Sequence, residues 1–176
     1  MRLCKKGEYS EGTLLFSSEI NQLKLNQNYQ MKTRNMLIFL LGFLGLGAFG
    51  GGGVFILSPG GEMMGMPLSA IGNSPFTSFL IPGILLFTIL GVIPLVLVYA
   101  LIKKPKWWLP EYFNFFNDMY WAWTYSIYVG FALIIWIQTE MIAMKMVHWS
   151  HTLYMGIALA ILFVAMLPQV RILYKK

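Results

Sequence analysis

The stretch FLIPGILLFTILGVIPLVLVYALI, residues 79–102, contains no charged side chain over 24 consecutive positions. Three further stretches share this property, at residues 36–57, 119–139 and 146–170, and they are 22, 21 and 25 residues long. About 20 residues of helix are needed to cross the hydrocarbon core of a bilayer. The sequence therefore predicts an all-α fold, a transmembrane four-helix bundle.

The 176-residue chain divides into a polar leader, residues 1–35, and a transmembrane domain, residues 36–173. The leader shows no sustained apolar periodicity, so we expect it to be cytoplasmic and poorly ordered. MKTRN at residues 31–35 is typical of a natural translation start, which would make the preceding residues an upstream extension. The predicted spans lie at about 36–57, 79–102, 119–141 and 149–170.

A cleaved signal peptide is an alternative interpretation of residues 31–50, because Ala48-Phe49-Gly50 is similar to a small-x-small cleavage site. The apolar run continues to Leu57, which favours an uncleaved first span.

Lysine and arginine are distributed unevenly along the chain. Twelve of the thirteen lie on one side if the chain crosses the membrane four times, because the connection 58–78 has none and the third connection has only Lys145. Basic loops stay cytoplasmic, so the sequence predicts a multi-pass protein of the bacterial inner membrane with both termini cytoplasmic. The net charge of +6 lies beside the apolar spans, which indicates contact with lipid headgroups and not with nucleic acid.

Glycine is concentrated in the first predicted span, with seven glycines within residues 42–53. Gly47 and Gly51 are four residues apart, as are Ala48 and Gly52, and this spacing lets helix backbones approach closely. We therefore predict that Gly47, Gly51 and Gly52 pack against a neighbouring helix. The alternative is a locally unwound segment that exposes its backbone to a ligand.

The connection between the first two spans is too apolar for a solvated loop, because methionine, leucine, isoleucine and phenylalanine recur over residues 62–78. Pro67 suits the first position of a short helix that Gly72 would close. Ser74 and Pro75 suit the N-cap and first turn of the next long helix. The sequence therefore predicts a short interfacial segment between the first two helices.

Few polar side chains adjoin the spans on the side opposite the basic residues. The candidate polar cluster consists of Glu140, Gln138, His148, His151 and Glu62. Glu140 and the two histidines flank a short connection, so they lie at one depth and can bind a metal, relay a proton or hold a polar headgroup. The simpler account is hydration at the interface. Because Trp136 is one turn before Glu140, we expect both to point into the bundle.

Several mechanisms do not fit the sequence. The chain has no HExxH, GxSxG or Walker-type phosphate loop, and Cys4 alone allows no internal disulfide or CxxC pair. The two histidines lie three residues apart on one helix, which is poor geometry for a haem held between two imidazoles. We therefore assign no catalytic residue, no metal ligand and no cofactor.

The segment GMPLSAIGNSPFTSFLIPG, residues 65–83, resembles a segment of small four-span bacterial membrane proteins to which no activity is assigned. The third span of those proteins ends in a Trp-Ile-x-x-(Gln/Glu) pattern, similar to WIQTE at residues 136–140. The resemblance covers roughly residues 44–173 and excludes the leader. It implies the four-span topology and marks Glu140.

Three classes of function follow from these features. The absence of charge within the spans favours a non-enzymatic protein that acts through helix–helix or lipid contacts, with membrane lipids, other membrane proteins or a second copy as partners. A small transporter, or a binder of lipid or quinone, is the alternative, and it predicts a cavity that opens at the outer side. A membrane-embedded enzyme is the second alternative, and it requires Glu62 and Glu140 to converge with His148 and His151.

Overall fold

The computed structural model describes residues 6–72 and 74–176, with side chains from residue 16 onward. Cys4 lies outside these residues, as does the predicted leader before residue 6. In the described part every regular element is helical and no strand occurs. This confirms the all-α class. Four helices are long and apolar enough to cross a membrane: Phe16–Leu57, Leu80–Lys103, Trp121–Met144 and Trp149–Met166.

The first helix, α1 (Lys6–Leu57), ends where the sequence predicts but begins much earlier. The sequence predicts a poorly ordered leader at residues 1–35, whereas the backbone of residues 6–35 is helical and continues into the first span. The physical reason is local, because residues 13–41 contain neither glycine nor proline and are rich in good helix formers. Helix α1 also continues through Gly50–Gly53, so the locally unwound alternative is wrong.

The second helix, α2 (Leu80–Lys103), contains a π-helical segment at Leu86–Val92. The Ile93 amide donates a hydrogen bond to Thr88 O, five residues back. Pro94 follows directly and has no amide hydrogen to donate, so the wider turn lies where a proline interrupts the α-helical pattern.

The connection between α1 and α2 forms two 3₁₀ turns, Glu62–Met64 and Leu68–Ile71. The second turn lies between Pro67 and Gly72, close to the predicted short helix. The predicted N-cap at Ser74 is wrong, because α2 begins at Leu80 and the Ser74 hydroxyl donates to Ile71 O at 2.8 Å.

This connection folds back onto the ends of the long helices. Ile71 and Phe79 are buried, and the Phe79 ring stacks on Phe55 of α1 with 4.9 Å between ring centroids. The Phe79 amide also donates to Pro59 O at 2.9 Å. Tertiary burial of these apolar side chains therefore overrides the local capping signal.

The remaining helices are α3 (Trp108–Tyr112), α4 (Trp121–Met144), α5 (Trp149–Met166) and α6 (Pro168–Tyr174). Only residues 145–148 join α4 to α5, as the short predicted connection requires. The fourth predicted span, 149–170, is too long. Helix α5 ends at Met166 because Leu167 has extended ψ of 137° before Pro168, a conformation that proline imposes on its predecessor.

Helices α1, α2, α4 and α5 contribute to one hydrophobic core. Buried residues of α1 follow the helical repeat at Leu37, Leu41, Leu44 and Ala48, so one stripe of this helix faces its neighbours. The connections 58–79 and 145–148 lie at one end of the four helices. The connection 104–120 and residues 167–176 lie at the opposite end, which we call the C-terminal end.

Glycines allow α1 and α2 to approach with their backbones in contact. A Cβ atom on Gly52 would lie 2.6 Å from Phe87 N and 2.8 Å from Gly83 O, which is closer than atoms can pack. At Gly91 of α2 a Cβ atom would lie 2.9 Å from Phe49 N. The close approach predicted from glycine spacing therefore occurs at Gly52, with glycines of α2 as its counterpart.

Gly47 and Gly51 have different surroundings. A Cβ atom on Gly51 would meet only Leu86 Cδ2 within 4 Å, at 3.9 Å, which is an ordinary contact. A Cβ atom on Gly47 would lie 3.2 Å from the hydroxyl oxygen of Tyr154 on α5. Neither glycine meets a neighbouring backbone, and both line a cavity.

Candidate functional site

The cavity has a volume of about 370 Å³ and lies between the four long helices at the end opposite the C-terminal end. We call this end the cavity end. Sites for small molecules commonly measure about 300–1,000 Å³, so the cavity falls within that range. Most of its lining is apolar, and polar side chains come from the last turns of α4 and the first turns of α5: Glu140, His148, Ser150, His151 and Tyr154.

Glu140 and His151 face each other across the cavity end of α4 and α5. Glu140 Oε2 lies 3.9 Å from His151 Nε2, which is ion-pair range but too long for a direct hydrogen bond. His151 is only 7% exposed, and the Glu140 side chain is 27% exposed. Trp136, one turn before Glu140, also lines the cavity, so both residues lie on the face of α4 that borders it.

His151 is oriented by the capping of α5. Its Nδ1 accepts a hydrogen bond from the His148 backbone amide at 3.0 Å. In a neutral imidazole the other nitrogen then carries the proton, so Nε2–H points toward the Glu140 carboxylate. The helix cap therefore selects the tautomer that presents a donor to the cavity.

His148 is the N-cap of α5 and is more exposed than His151. Its Nδ1 lies 3.0 Å from Ser150 Oγ and also accepts from the Ser150 amide at 3.4 Å. Tyr154 lies one turn beyond His151, and its hydroxyl group is directed toward Gly47 on α1. The sequence prediction omitted Ser150 and Tyr154. For Tyr154 the available signal was its three-residue spacing from His151, which places both on one helix face.

Two predicted cluster members lie elsewhere. Gln138 is exposed and is absent from the cavity lining. The Glu62 carboxylate accepts a hydrogen bond from Ser58 Oγ at 2.7 Å, and this bond lowers the pKa of Glu62 below its ordinary value. Glu62 also lies outside the cavity lining. The convergence of Glu62 with Glu140 and the histidines, which the enzyme alternative requires, is therefore not formed.

Histidine, cysteine and carboxylate side chains do not form a metal-binding group. Across residues 16–72 and 74–176, whose side chains the structure describes, no three of them lie close enough together to hold a metal ion. The cavity therefore offers one carboxylate, an imidazole donor and a phenolic hydroxyl at the polar end of an apolar wall.

Comparison with known proteins yields no relative. No family model, no curated protein and no solved structure matches the chain. The resemblance to small four-span bacterial membrane proteins stays a prediction, and the geometry of the cavity carries the functional argument.

Proposed function

We propose that the chain is a multi-pass membrane protein that binds one small amphipathic molecule in the cavity. This molecule has a neutral polar end and an apolar body. The observation that carries the proposal is the cavity itself, whose lining is mostly apolar and has polar side chains only at one end: Glu140, His148, Ser150, His151 and Tyr154. Binding of a lipid-like or quinone-like molecule was the second interpretation of the sequence, and the cavity favours it over helix contact alone.

In this arrangement the four long helices form a transmembrane bundle. The C-terminal end lies in the cytoplasm and the cavity end on the outer side. The uneven distribution of lysine and arginine supports this orientation, since basic connections stay inside. The connection 58–79 then lies at the outer interface, where Leu68 and Met63 are exposed to headgroups and acyl chains.

The polar groups define which ligand end fits. His151 Nε2–H and the Tyr154 hydroxyl can donate hydrogen bonds, and the Glu140 carboxylate accepts. A hydroxyl group satisfies both kinds of partner, and a quinone carbonyl satisfies the donors. A carboxylate or phosphate would face the negative charge of Glu140 in a poorly hydrated site, which is unfavourable.

The apolar wall suits a hydrocarbon body. Leu44, Leu90, Leu133 and Ile137 come from three helices and line the cavity together. Each CH₂ group that leaves water contributes about 0.8 kcal/mol, so a chain of several carbons supplies most of the binding free energy. The polar groups then fix the orientation of the ligand.

A cavity-filling substitution tests the proposal. Leucine at Gly51 would project into the cavity, where only Leu86 Cδ2 lies within 4 Å of its Cβ atom. Gly50→Leu is the matched control, because a Cβ atom there meets nothing within 4 Å. The probe is 1-decanol, with decane as the analogue that lacks the hydroxyl group. Native mass spectrometry of the protein in lipid nanodiscs counts bound probe molecules.

We expect one 1-decanol molecule per chain in the wild type and in Gly50→Leu, and loss of binding in Gly51→Leu. Glu140→Leu and Tyr154→Phe should weaken binding of 1-decanol more than binding of decane. Equal binding of 1-decanol by Gly51→Leu and Gly50→Leu would place the probe outside the cavity and refute the proposal.

A further inference from the structure

A second, smaller cavity adjoins the first on the flank of α4. It has a volume of about 50 Å³, and we call it the side cavity. Thr139 and Ala143 of α4 line the side cavity only, and Thr139 is exposed, so this space extends from the interior of the bundle to its surface. Four residues line both cavities, so only their side chains separate the two spaces: Phe55, Trp136, Glu140 and Met144.

The side cavity lies in a gap between α2 and α4. Helix α2 packs against α4 along residues 86–103 but scarcely along its first turns, residues 80–85. The 3₁₀ turn Leu68–Ile71 packs against α4 there instead. Ile71 is buried and lines the side cavity together with Phe79 and Pro82. The connection between α1 and α2 therefore closes a gap that the helices leave open.

Apolar contact alone holds this turn against α4. The hydrogen bonds of the turn are local, and among the described residues none joins residues 62–72 or 74–78 to α4. The base of the connection is fixed separately, because the Phe79 amide donates to Pro59 O at 2.9 Å. The turn can therefore move away from α4 while the two ends of the connection stay in place.

We propose that the turn Leu68–Ile71 covers a lateral entrance, through which the amphipathic ligand passes from the bilayer into the cavity by way of the side cavity. This inference rests on the proposed function. Ile81 of α2 and Ile142 of α4 are exposed beside the gap, so acyl chains reach it in the proposed orientation. Glu140 lines both cavities, so the polar end of the ligand meets a hydrogen-bond acceptor where the two spaces adjoin.

The cavity also has an opening toward water. Met64 and Met146 line it and are 47% and 55% exposed. A ligand that entered there would carry its hydrocarbon body out of the bilayer and through water, which is unfavourable in proportion to the apolar area exposed. The lateral route keeps the apolar body in contact with hydrocarbon, and this favours the side cavity as the entrance.

Exchange of bound 1-decanol tests the entrance on the full chain in lipid nanodiscs. Protein loaded with 1-decanol is mixed with an excess of the perdeuterated alcohol, and native mass spectrometry follows the replacement over time. Ala143→Phe fills the side cavity, and Ile142→Phe is the matched control, because Ile142 is exposed and lines neither cavity. Ile71→Ala loosens the turn against α4. Its control is Leu68→Ala, at an exposed position of the same turn that lines neither cavity.

We expect Ala143→Phe to exchange at least about tenfold more slowly than the wild type and Ile71→Ala at least about threefold faster, with one 1-decanol molecule still bound per chain. Both controls should exchange as the wild type does. Equal exchange rates in Ala143→Phe and Ile142→Phe would overturn the lateral entrance. If Ala143→Phe does not fold, the second pair decides, and equal rates in Ile71→Ala and Leu68→Ala would overturn it. A wild type that binds no 1-decanol would refute the proposed function and the entrance with it, whereas binding with unchanged exchange refutes the entrance alone.

Discussion

The two ends of the helices are built in opposite ways. At the C-terminal end, the chain's last residues bond to the connection 104–120: the Tyr120 amide donates to Tyr174 O at 2.7 Å, and the Lys176 amide donates to Asp118 O at 2.9 Å. Lys104 Nζ donates to Leu173 O at 2.7 Å. At the cavity end, the helices enclose about 370 Å³ of space instead. One end therefore holds the helices together, and the other is free to accept a ligand.

The polar side chains show the same contrast between a closely bonded C-terminal end and an open cavity end. At the C-terminal end, Asn114 is buried and uses both ends of its amide, accepting from Thr124 Oγ1 at 2.7 Å and donating to Met119 O at 2.8 Å. At the cavity end, Glu140 and His151 are 3.9 Å apart, so each retains bonding capacity. A satisfied polar network stabilises a fold, whereas groups with spare capacity can bind something else.

The largest effect on stability is expected for a substitution that removes hydrogen bonds at the C-terminal end. Asn114→Leu keeps a similar volume but leaves the Thr124 hydroxyl and Met119 carbonyl without their partner, so we expect a loss of about 3 kcal/mol in unfolding free energy. Asn117→Leu, at an exposed position of the same connection, should change it by less than about 0.5 kcal/mol. Denaturant unfolding in detergent measures both. Similar values for the two variants would contradict the role of Asn114.

The next effect separates the packed and open faces of α1 at the cavity end. Gly52→Leu forces its side chain into the α2 backbone, and overpacking of this kind costs about 1–3 kcal/mol. Gly51→Leu enters the cavity and should leave stability unchanged or raised. Thermal unfolding of both variants measures the difference. Equal destabilisation at the two positions would show that the face containing Gly51 is also closely packed.

A smaller effect concerns Tyr174 at the C-terminal end. Its hydroxyl donates to Leu101 O at 2.8 Å, and Tyr174→Phe should lose about 1 kcal/mol. Burial raises the pKa of Tyr174 to about 12. Because this folded-state pKa exceeds the unfolded value near 10, its contribution is fully present below pH 10 and is lost as pH rises to about 12.

Unfolding temperature measured between pH 9 and pH 12 tests this sign. Tyr174→Phe should lose less stability over this interval than wild type, and Tyr112→Phe, at a 73% exposed position, should behave as wild type. A steeper alkaline loss in Tyr174→Phe would contradict the raised pKa.

The smallest effect is expected for the Glu140 carboxylate at the cavity end. Glu140→Gln preserves shape, and at 3.9 Å the pair with His151 has little energy to lose, so the change should stay within about 0.5 kcal/mol. Chemical denaturation in the same detergent provides the value. A loss as large as that of Asn114→Leu would make Glu140 part of the structural framework and remove the contrast between the ends.

Much of the fold followed from the sequence because bilayer dimensions constrain helix length strongly. The absence of charge identified all four long helices, and Leu57 was placed correctly as the end of the first. Two helix boundaries were predicted wrongly. At Ser74, tertiary burial overrides the local capping signal, and near Pro168 the effect of proline on the preceding residue was overlooked.

The candidate site could be predicted only in part. Depth arguments placed Glu140, His148 and His151 at one level, and these three line the cavity. The prediction for Glu62 was wrong because a shared depth in the membrane does not determine where a side chain points. The Glu62 carboxylate accepts a hydrogen bond from Ser58 instead.

The π-helical segment of α2 also bears on how the chain tolerates insertions and deletions. Such a segment accommodates one residue more than an α-helix of the same length, and each α-helical residue adds about 100° of rotation. Removing one residue from within 86–92 would let α-helical pairing continue while Leu97 and Ala100 keep their direction. The same deletion after Pro94 would rotate the rest of α2 by about 100° and turn these buried side chains out of the core. Helix α2 can therefore lose one residue within 86–92 without changing the direction of the side chains that follow, and a deletion elsewhere in the helix would change it.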